Sequence, residues 1–89
     1  MNAETDDEWI DARFGEMRAI NVRLRLYEMK VFSNPVRHNW NCEAIVNGSV
    51  YCCEVDDSKR EAVAKTIATV MAARLQGLKL RDDAPGSVW

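Results

Sequence analysis

The chain has 89 residues and a formal net charge of −2, with 47% hydrophobic residues. This length suits one small domain. The hydrophobic content predicts a folded core instead of disorder. The negative net charge argues against a general polyanion binder. No apolar run is long enough to span a membrane. The acidic start does not resemble a signal peptide. The three cysteines are therefore interpreted as reduced thiols of an intracellular protein.

The charge is unevenly distributed along the chain. Residues 1–20 contain six acids and two arginines, whereas residues 58–81 contain six basic residues and one acid. Residues 21–40 add four basic residues and one acid. Two separate basic segments therefore leave open a basic face on one side of the folded domain.

The first predicted element is a helix at residues 6–20. Thr5 and Glu8 have the spacing of a capping box, and the acids of the first turn suit the positive end of a helix dipole. The apolar residues then recur at helical spacing, as on one face of an amphipathic helix: Trp9, Ile10, Phe14, Met17 and Ile20.

The second predicted element is a strand at residues 26–32. Residues 22–32 alternate in two stretches, but the phase changes between Leu26 and Tyr27, and one strand cannot keep both sets on one face. We therefore expect residues 22–25 to form a connector. In the strand itself the inward residues are predicted to be Tyr27, Met29 and Val31.

A loop and a hairpin are predicted next. Ser33-Asn34-Pro35 interrupts the strand pattern, so residues 33–39 are predicted to form a loop. Strands at 40–46 and 49–55 are joined by Asn47-Gly48, a dipeptide that favours the type I′ turn because both residues adopt positive φ.

The last predicted element is a helix at residues 58–76. Ser58 and Glu61 form a second S-x-x-E capping pattern, and Gly77 is a natural end. The order predicts an α+β fold, α-β-β-β-α, with a three-stranded antiparallel sheet and both helices on one face. This domain is expected to cover residues 1–81, with a mobile tail at 82–89. Its core is predicted to contain Trp40, Tyr27, Phe14, Ile67, Val70 and Met71.

This order, with Ser58-Lys59-Arg60 opening the last helix, resembles the double-stranded RNA-binding domain family. The family opens this helix with S-K-K-x-A-K and carries G-P-x-H before its second strand, where Asn34-Pro35-Val36-Arg37-His38 is similar. Phe14-Gly15-Glu16-Met17 looks like the L-N-E-L run of the family's first helix.

The resemblance implies binding of double-stranded RNA by shape, with little dependence on base sequence. Duplex RNA hides its base edges, so such a domain contacts phosphates and 2′-hydroxyls. The resemblance assigns phosphate contacts to Lys59 and Arg60, a loop contact to His38 with Arg37 nearby, and a 2′-hydroxyl contact to Glu16.

Several positions depart from the family pattern. Val63 stands at the third basic position of the last helix, the loop lacks the family's glycine, and Asp56-Asp57 precede Ser58. RNA binding is therefore expected to be weak. The alternative is a degenerate module for protein association, with a homodimer or a protein partner at the edge strand from Val50 to Glu54. A third interpretation, a small phage or viral inhibitor with an acidic surface, is supported only by residues 1–20.

Catalytic and metal sites are weakly indicated. No nucleophile–base pair or phosphate-binding glycine loop is visible, so we expect no enzyme activity and no cofactor. The set His38, Cys42, Cys52 and Cys53 has the residue types of a zinc site. Adjacent strand cysteines point to opposite faces, however, and the usual C-x(2–4)-C spacing is missing, so zinc is not the favoured interpretation.

Overall fold

The computed structural model of the chain describes residues 3–32 and 37–80. Its elements are α1 (Asp6–Ala19), β1 (Val22–Val31), β2 (Arg37–Val46), β3 (Ser49–Asp56) and α2 (Lys59–Leu75). The strands form one antiparallel sheet in the order β1-β2-β3, so β1 and β3 are its edges. The predicted α-β-β-β-α order and the α+β class are confirmed. No helix in these ranges has the length and apolar character needed to cross a membrane.

Both helices begin at the predicted cap residues. At α1 the capping box is complete, since the Glu8 amide donates to Thr5 Oγ1 at 3.1 Å and the Thr5 amide donates to Glu8 Oε1 at 3.2 Å. At α2 the Glu61 amide donates to Ser58 Oγ at 3.3 Å, but the Ser58 amide donates to Asp56 Oδ1 at 2.9 Å. The Asp56 carboxylate thus accepts the hydrogen bond from the Ser58 amide that the S-x-x-E pattern assigned to the Glu61 side chain. Asp56 can do so because it lies two residues before the cap.

The prediction for the first strand was wrong in its start and in its phase. β1 begins at Val22, directly after Asn21, whose φ of 63° turns the chain out of α1. Val22 and Leu24 are buried, whereas Met29 is 48% exposed. The whole of β1 pairs with β2, so its residues alternate in one register. Tyr27 and Met29 therefore lie on the opposite face from Val22 and Leu24. Of the other predicted inward residues, Tyr27 is only partly buried and the Val31 side chain lies outside the described residues.

β2 also begins earlier than predicted. It starts at Arg37, opposite Val31, and His38 lies opposite Lys30. Arg37 and His38 are therefore strand residues and not loop residues, because the ladder with β1 extends further than the side-chain pattern indicates. The remainder of the predicted loop, residues 33–36, lies outside the described residues, as does the predicted tail at 82–89.

The hairpin at Asn47-Gly48 is confirmed. Both residues have positive φ, 52° and 86°, and Val46 lies opposite Ser49. The Asn47 side chain also donates to the Lys79 carbonyl oxygen at 3.0 Å, which holds the segment after α2 beside the turn.

The core lies between the two helices and one face of the sheet. Its buried apolar members come from both helices and from alternate residues of β1 and β2: Ile10, Met17, Val22, Leu24, Cys42, Ala44, Val46, Ala62, Val63 and Val70. Thr66 fixes α2 against the sheet by donating to the Cys42 carbonyl at 2.9 Å. The opposite face of the sheet, which we call the helix-free face, presents other alternate residues, among them Arg25, Tyr27, Met29, Glu43, Cys53 and Val55.

The predicted core is correct in part. Val70 is buried, and Phe14, Trp40 and Ile67 pack against the core as partly buried residues. Met71 is 40% exposed, since it lies about 100° around the helix from Val70 and on the solvent side of α2. Tyr27 belongs to the helix-free face.

Candidate nucleic-acid interface

Three of the predicted site residues lie at one end of the sheet. Lys59 and Arg60 are the first residues of α2, which begins just after Asp56 at the end of β3. Asp56 lies opposite Trp40 of β2, and His38 is two residues before Trp40 on the same side of that strand. Lys59 Nζ lies 5.8 Å from the centroid of the Trp40 ring. The first turn of α2 and the start of β2 therefore form one continuous surface.

Of the remaining two predicted residues, Glu16 is not brought to this surface by any contact among the described residues. Glu16 lies in the last part of α1 and pairs with Arg13 of the same helix at 2.9 Å. Ten residues separate Glu16 from Asp6, which contacts Arg60, so the rise of the helix places Glu16 about 15 Å away along α1. The Arg37 side chain lies outside the described residues.

The two cations of the first turn of α2 are paired with the acids of the first turn of α1. Lys59 Nζ lies 2.5 Å from Asp7 Oδ1, and Arg60 Nη1 lies 3.4 Å from Asp6 Oδ1. The hydrogen bond to Asp7 raises the pKa of Lys59, although partial desolvation opposes this shift. Arg60 also lies over the Trp9 ring, 4.6 Å from its centroid. The side chains of Lys59 and Arg60 remain 30% and 40% exposed.

His38 is paired as well. Its Nδ1 lies 3.2 Å from Oε1 of Glu28 on the neighbouring strand, and both side chains are about half exposed. The predicted contact residue thus has an anionic neighbour on its own surface, as Lys59 and Arg60 do.

The third basic position of the family pattern is absent from this surface. Val63 is 0% exposed and belongs to the core. Lys65, the next cation along α2, pairs with Asp56 Oδ2 at 2.7 Å. The hydrogen bond from Lys65, helped by the Ser58 amide, lowers the pKa of Asp56. The first turn of α2 therefore carries two basic residues, Lys59 and Arg60, and the third basic position of the family pattern is a core residue.

The cysteines do not form a metal site with other described residues. Within residues 3–32 and 37–80 no group of three or more His, Cys, Asp or Glu side chains is placed to hold a metal ion. Cys42 is buried, Cys52 is half-buried and Cys53 is exposed, and all three are free thiols. Burial raises the pKa of Cys42, so this thiol is held in its neutral form.

The residues that sequence reasoning missed are the acids facing the candidate site. Asp6 and Asp7 were interpreted as favourable charges at a helix start and, with the other acids of residues 1–20, as support for an acidic surface. Their contacts with α2 span 54 and 52 residues of sequence. The complementary charges of the two helix starts were a visible signal, but only the packing of α1 beside α2 brings them together.

Comparison with known proteins adds no relative. No family model, no curated protein and no solved structure matches this chain. The resemblance to double-stranded RNA-binding domains therefore depends on the motif residues and the order of the elements.

Proposed function

We propose that this chain binds double-stranded RNA weakly, with little dependence on base sequence, through the first turn of α2 and the start of β2. The observation that supports this most is the pair Lys59 and Arg60, both partly exposed at a helix N-terminus. The free amides and the dipole of a helix start favour anions, and two cations beside them add to this preference.

The separation of the candidate contacts supports a site that recognises the shape of a duplex. Phosphates line the major groove, and a domain that places cations there reaches the neighbouring minor grooves with other elements. His38 lies at the same end of the sheet as Lys59, whereas Glu16 lies about 15 Å along α1 from the Asp6–Arg60 contact. Separate contacts of this kind suit recognition of groove spacing and not of base edges.

Weak binding is expected for two physical reasons. Lys59 and Arg60 must exchange Asp7 and Asp6 for phosphates, so part of the interaction energy only replaces existing ion pairs. The buried Val63 also removes one phosphate contact that the family has.

The decisive experiment is a titration of a 20-base-pair RNA duplex at low and at moderate salt with the wild type and with Lys59→Ala/Arg60→Ala. The double variant should lose measurable binding, and the wild type should prefer the RNA duplex to a DNA duplex of the same sequence. A matched control is Arg74→Ala/Lys79→Ala, which also removes two positive charges. Arg74 lies in the last turn of α2, and Lys79 follows the helix. Equal affinity for DNA and RNA, or equal loss in both double variants, would contradict the proposal.

A second candidate is a module for protein association, here a homodimer through the edge strand β3. Within residues 3–32 and 37–80, β3 has a hydrogen-bonded neighbour on one side only. Three of its large side chains are about half exposed: Val50 54%, Tyr51 45% and Val55 46%. The buried Val63 and the paired cations of α2 also favour this candidate over strong RNA binding. An apolar edge of this kind suits pairing with another strand.

A further inference from the structure

The first turns of the two helices are joined by a set of contacts between opposite charges. Asp7 contacts Lys59 and Asp6 contacts Arg60, while the Arg60 guanidinium covers the Trp9 ring. The three α1 residues lie within about the first turn of that helix, and both cations belong to the first turn of α2. We call these five residues the α1–α2 charge contact.

The carboxylates of this contact have the chemistry of the ligand proposed for the same cations. A carboxylate and a phosphodiester both offer anionic oxygen acceptors to ammonium and guanidinium groups. The dipole of α1 stabilises acids in its first turn, so Asp6 and Asp7 are held at this position by their own helix. A phosphate that approaches Lys59 or Arg60 therefore meets two negative charges at the position that it would occupy.

The contact is also weak enough to be exchanged. The side chains of Asp6 and Asp7 are 54% and 79% exposed, and water and salt screen such pairs strongly. An RNA duplex brings several phosphates together, so it can replace two exposed carboxylates.

We infer that Asp6 and Asp7 are internal competitors of the RNA backbone, and that the α1–α2 charge contact sets the affinity and the salt dependence of binding at the start of α2. This inference rests on the proposed RNA-binding function and names how that site is regulated. Binding to the wild type releases cations from the RNA, but the two freed carboxylates then attract cations from solution. The salt dependence of the wild type is therefore shallower than two phosphate contacts alone would give.

The test compares the wild type with Asp6→Asn/Asp7→Asn in titrations of one labelled 20-base-pair RNA duplex at several salt concentrations. The double variant should bind about three- to tenfold more tightly at low salt, the range expected from two exposed ion pairs. Its plot of log affinity against log salt should be steeper by up to about two units. Asparagine keeps the side-chain size, and Thr5 and Glu8, which cap α1, are unchanged.

A matched control is Glu4→Gln/Asp11→Asn, which removes two acids from the same region. Neither Glu4 nor Asp11 forms an ion pair within the described part of the chain, so this variant changes net charge without releasing Lys59 or Arg60. It should change affinity by less than about twofold, since distant exposed charges are screened. Far-UV circular dichroism verifies the fold, and Asp7→Asn alone serves as a milder second variant.

The outcomes separate this inference from the proposed function. If the wild type binds RNA and Asp6→Asn/Asp7→Asn binds no better than the control, the inference is wrong and the proposed function stands. If only Asp6→Asn/Asp7→Asn binds, the inference holds and the natural chain is not an RNA-binding protein. If neither binds at low salt, both are wrong.

Discussion

Val63 is the residue at which the family pattern and the fold of this chain conflict. It stands where the family has a third basic residue, yet its side chain is 0% exposed within the core. Lysine there would place an ammonium group in the apolar core that contains Val70 and Ala62, both 0% exposed. Packing of the core therefore requires an apolar residue at position 63, and a basic residue cannot contact phosphate from there.

Val63→Lys is expected to destabilise the domain by about 3–5 kcal/mol because it buries an unpaired charge. A small domain has a total stability of about 5–10 kcal/mol, so the variant should be largely unfolded or melt far below the wild type. Ala68→Lys, at an exposed position of the same helix, should change stability by less than about 0.5 kcal/mol. Thermal unfolding followed by circular dichroism measures both, and a stable Val63→Lys protein with tighter RNA binding would contradict the assignment of Val63 to the core.

Asp56 should contribute to the acid sensitivity of the fold. Its pKa is lowered by Lys65 and the Ser58 amide, so the folded state binds a proton less readily than the unfolded chain does. The stabilising contribution is therefore present above the unfolded pKa, about 3.9, and is lost as pH falls through the lower folded value.

Asp56→Asn should accordingly lower the melting temperature at pH 6. It should have a smaller effect at about pH 3, since the carboxyl of the unfolded chain is then mostly protonated and part of the stabilising contribution is lost. Melting curves between these pH values measure the difference. Asp11→Asn is the control, because Asp11 has no ion pair among the described residues. An effect of Asp56→Asn that is the same at both pH values would show that the carboxylate charge is not the cause.

At the scale of single elements, the hairpin between β2 and β3 is the part most completely specified by local sequence. Asn47 and Gly48 adopt positive φ, a conformation that is costly for most residues with a Cβ atom. Gly48→Ala should therefore destabilise the domain by about 1–2 kcal/mol. Ser49→Ala, the exposed neighbour in β3, should change stability by less than about 0.5 kcal/mol. Chemical denaturation measures both values, and equal stabilities would show that the turn tolerates another conformation.

At the scale of the whole molecule, the two candidate functions differ in the species present in solution. If the edge strand β3 pairs with a second copy, the wild type should form a dimer at micromolar concentration and should not bind duplex RNA at moderate salt. Val55→Lys, which adds charge to a half-exposed position of that strand, should then restore the monomer without loss of stability.

Leu75→Lys is the control for this experiment, since Leu75 is 91% exposed at the end of α2 and is not a residue of β3. It should leave the dimer intact. Sedimentation velocity over a range of concentrations gives the answer for all three proteins. A wild-type monomer throughout the range would rule out self-association through β3.

The amino-acid sequence alone determined the order of the elements, the two helix caps and the position of the hairpin turn. Each of these depends on residues within a few positions of one another, such as Thr5 with Glu8 or Asn47 with Gly48, so the signal is local. The start and phase of β1 could not be predicted in this way. They follow from pairing with β2 over ten residues, which outweighs the change of phase at Tyr27.

The state of the candidate site was decided only by the tertiary structure. The sequence placed Lys59 and Arg60 at a helix start, but their pairing with Asp7 and Asp6 depends on residues 52 and 54 positions away. The burial of Val63 likewise depends on how α2 is rotated against the sheet, where Thr66 is bonded to the Cys42 carbonyl. Local sequence specifies where charges lie along the chain. Their availability to a ligand is set by the packing of α1 beside α2, because the Coulomb interaction acts between neighbours in space and not in sequence.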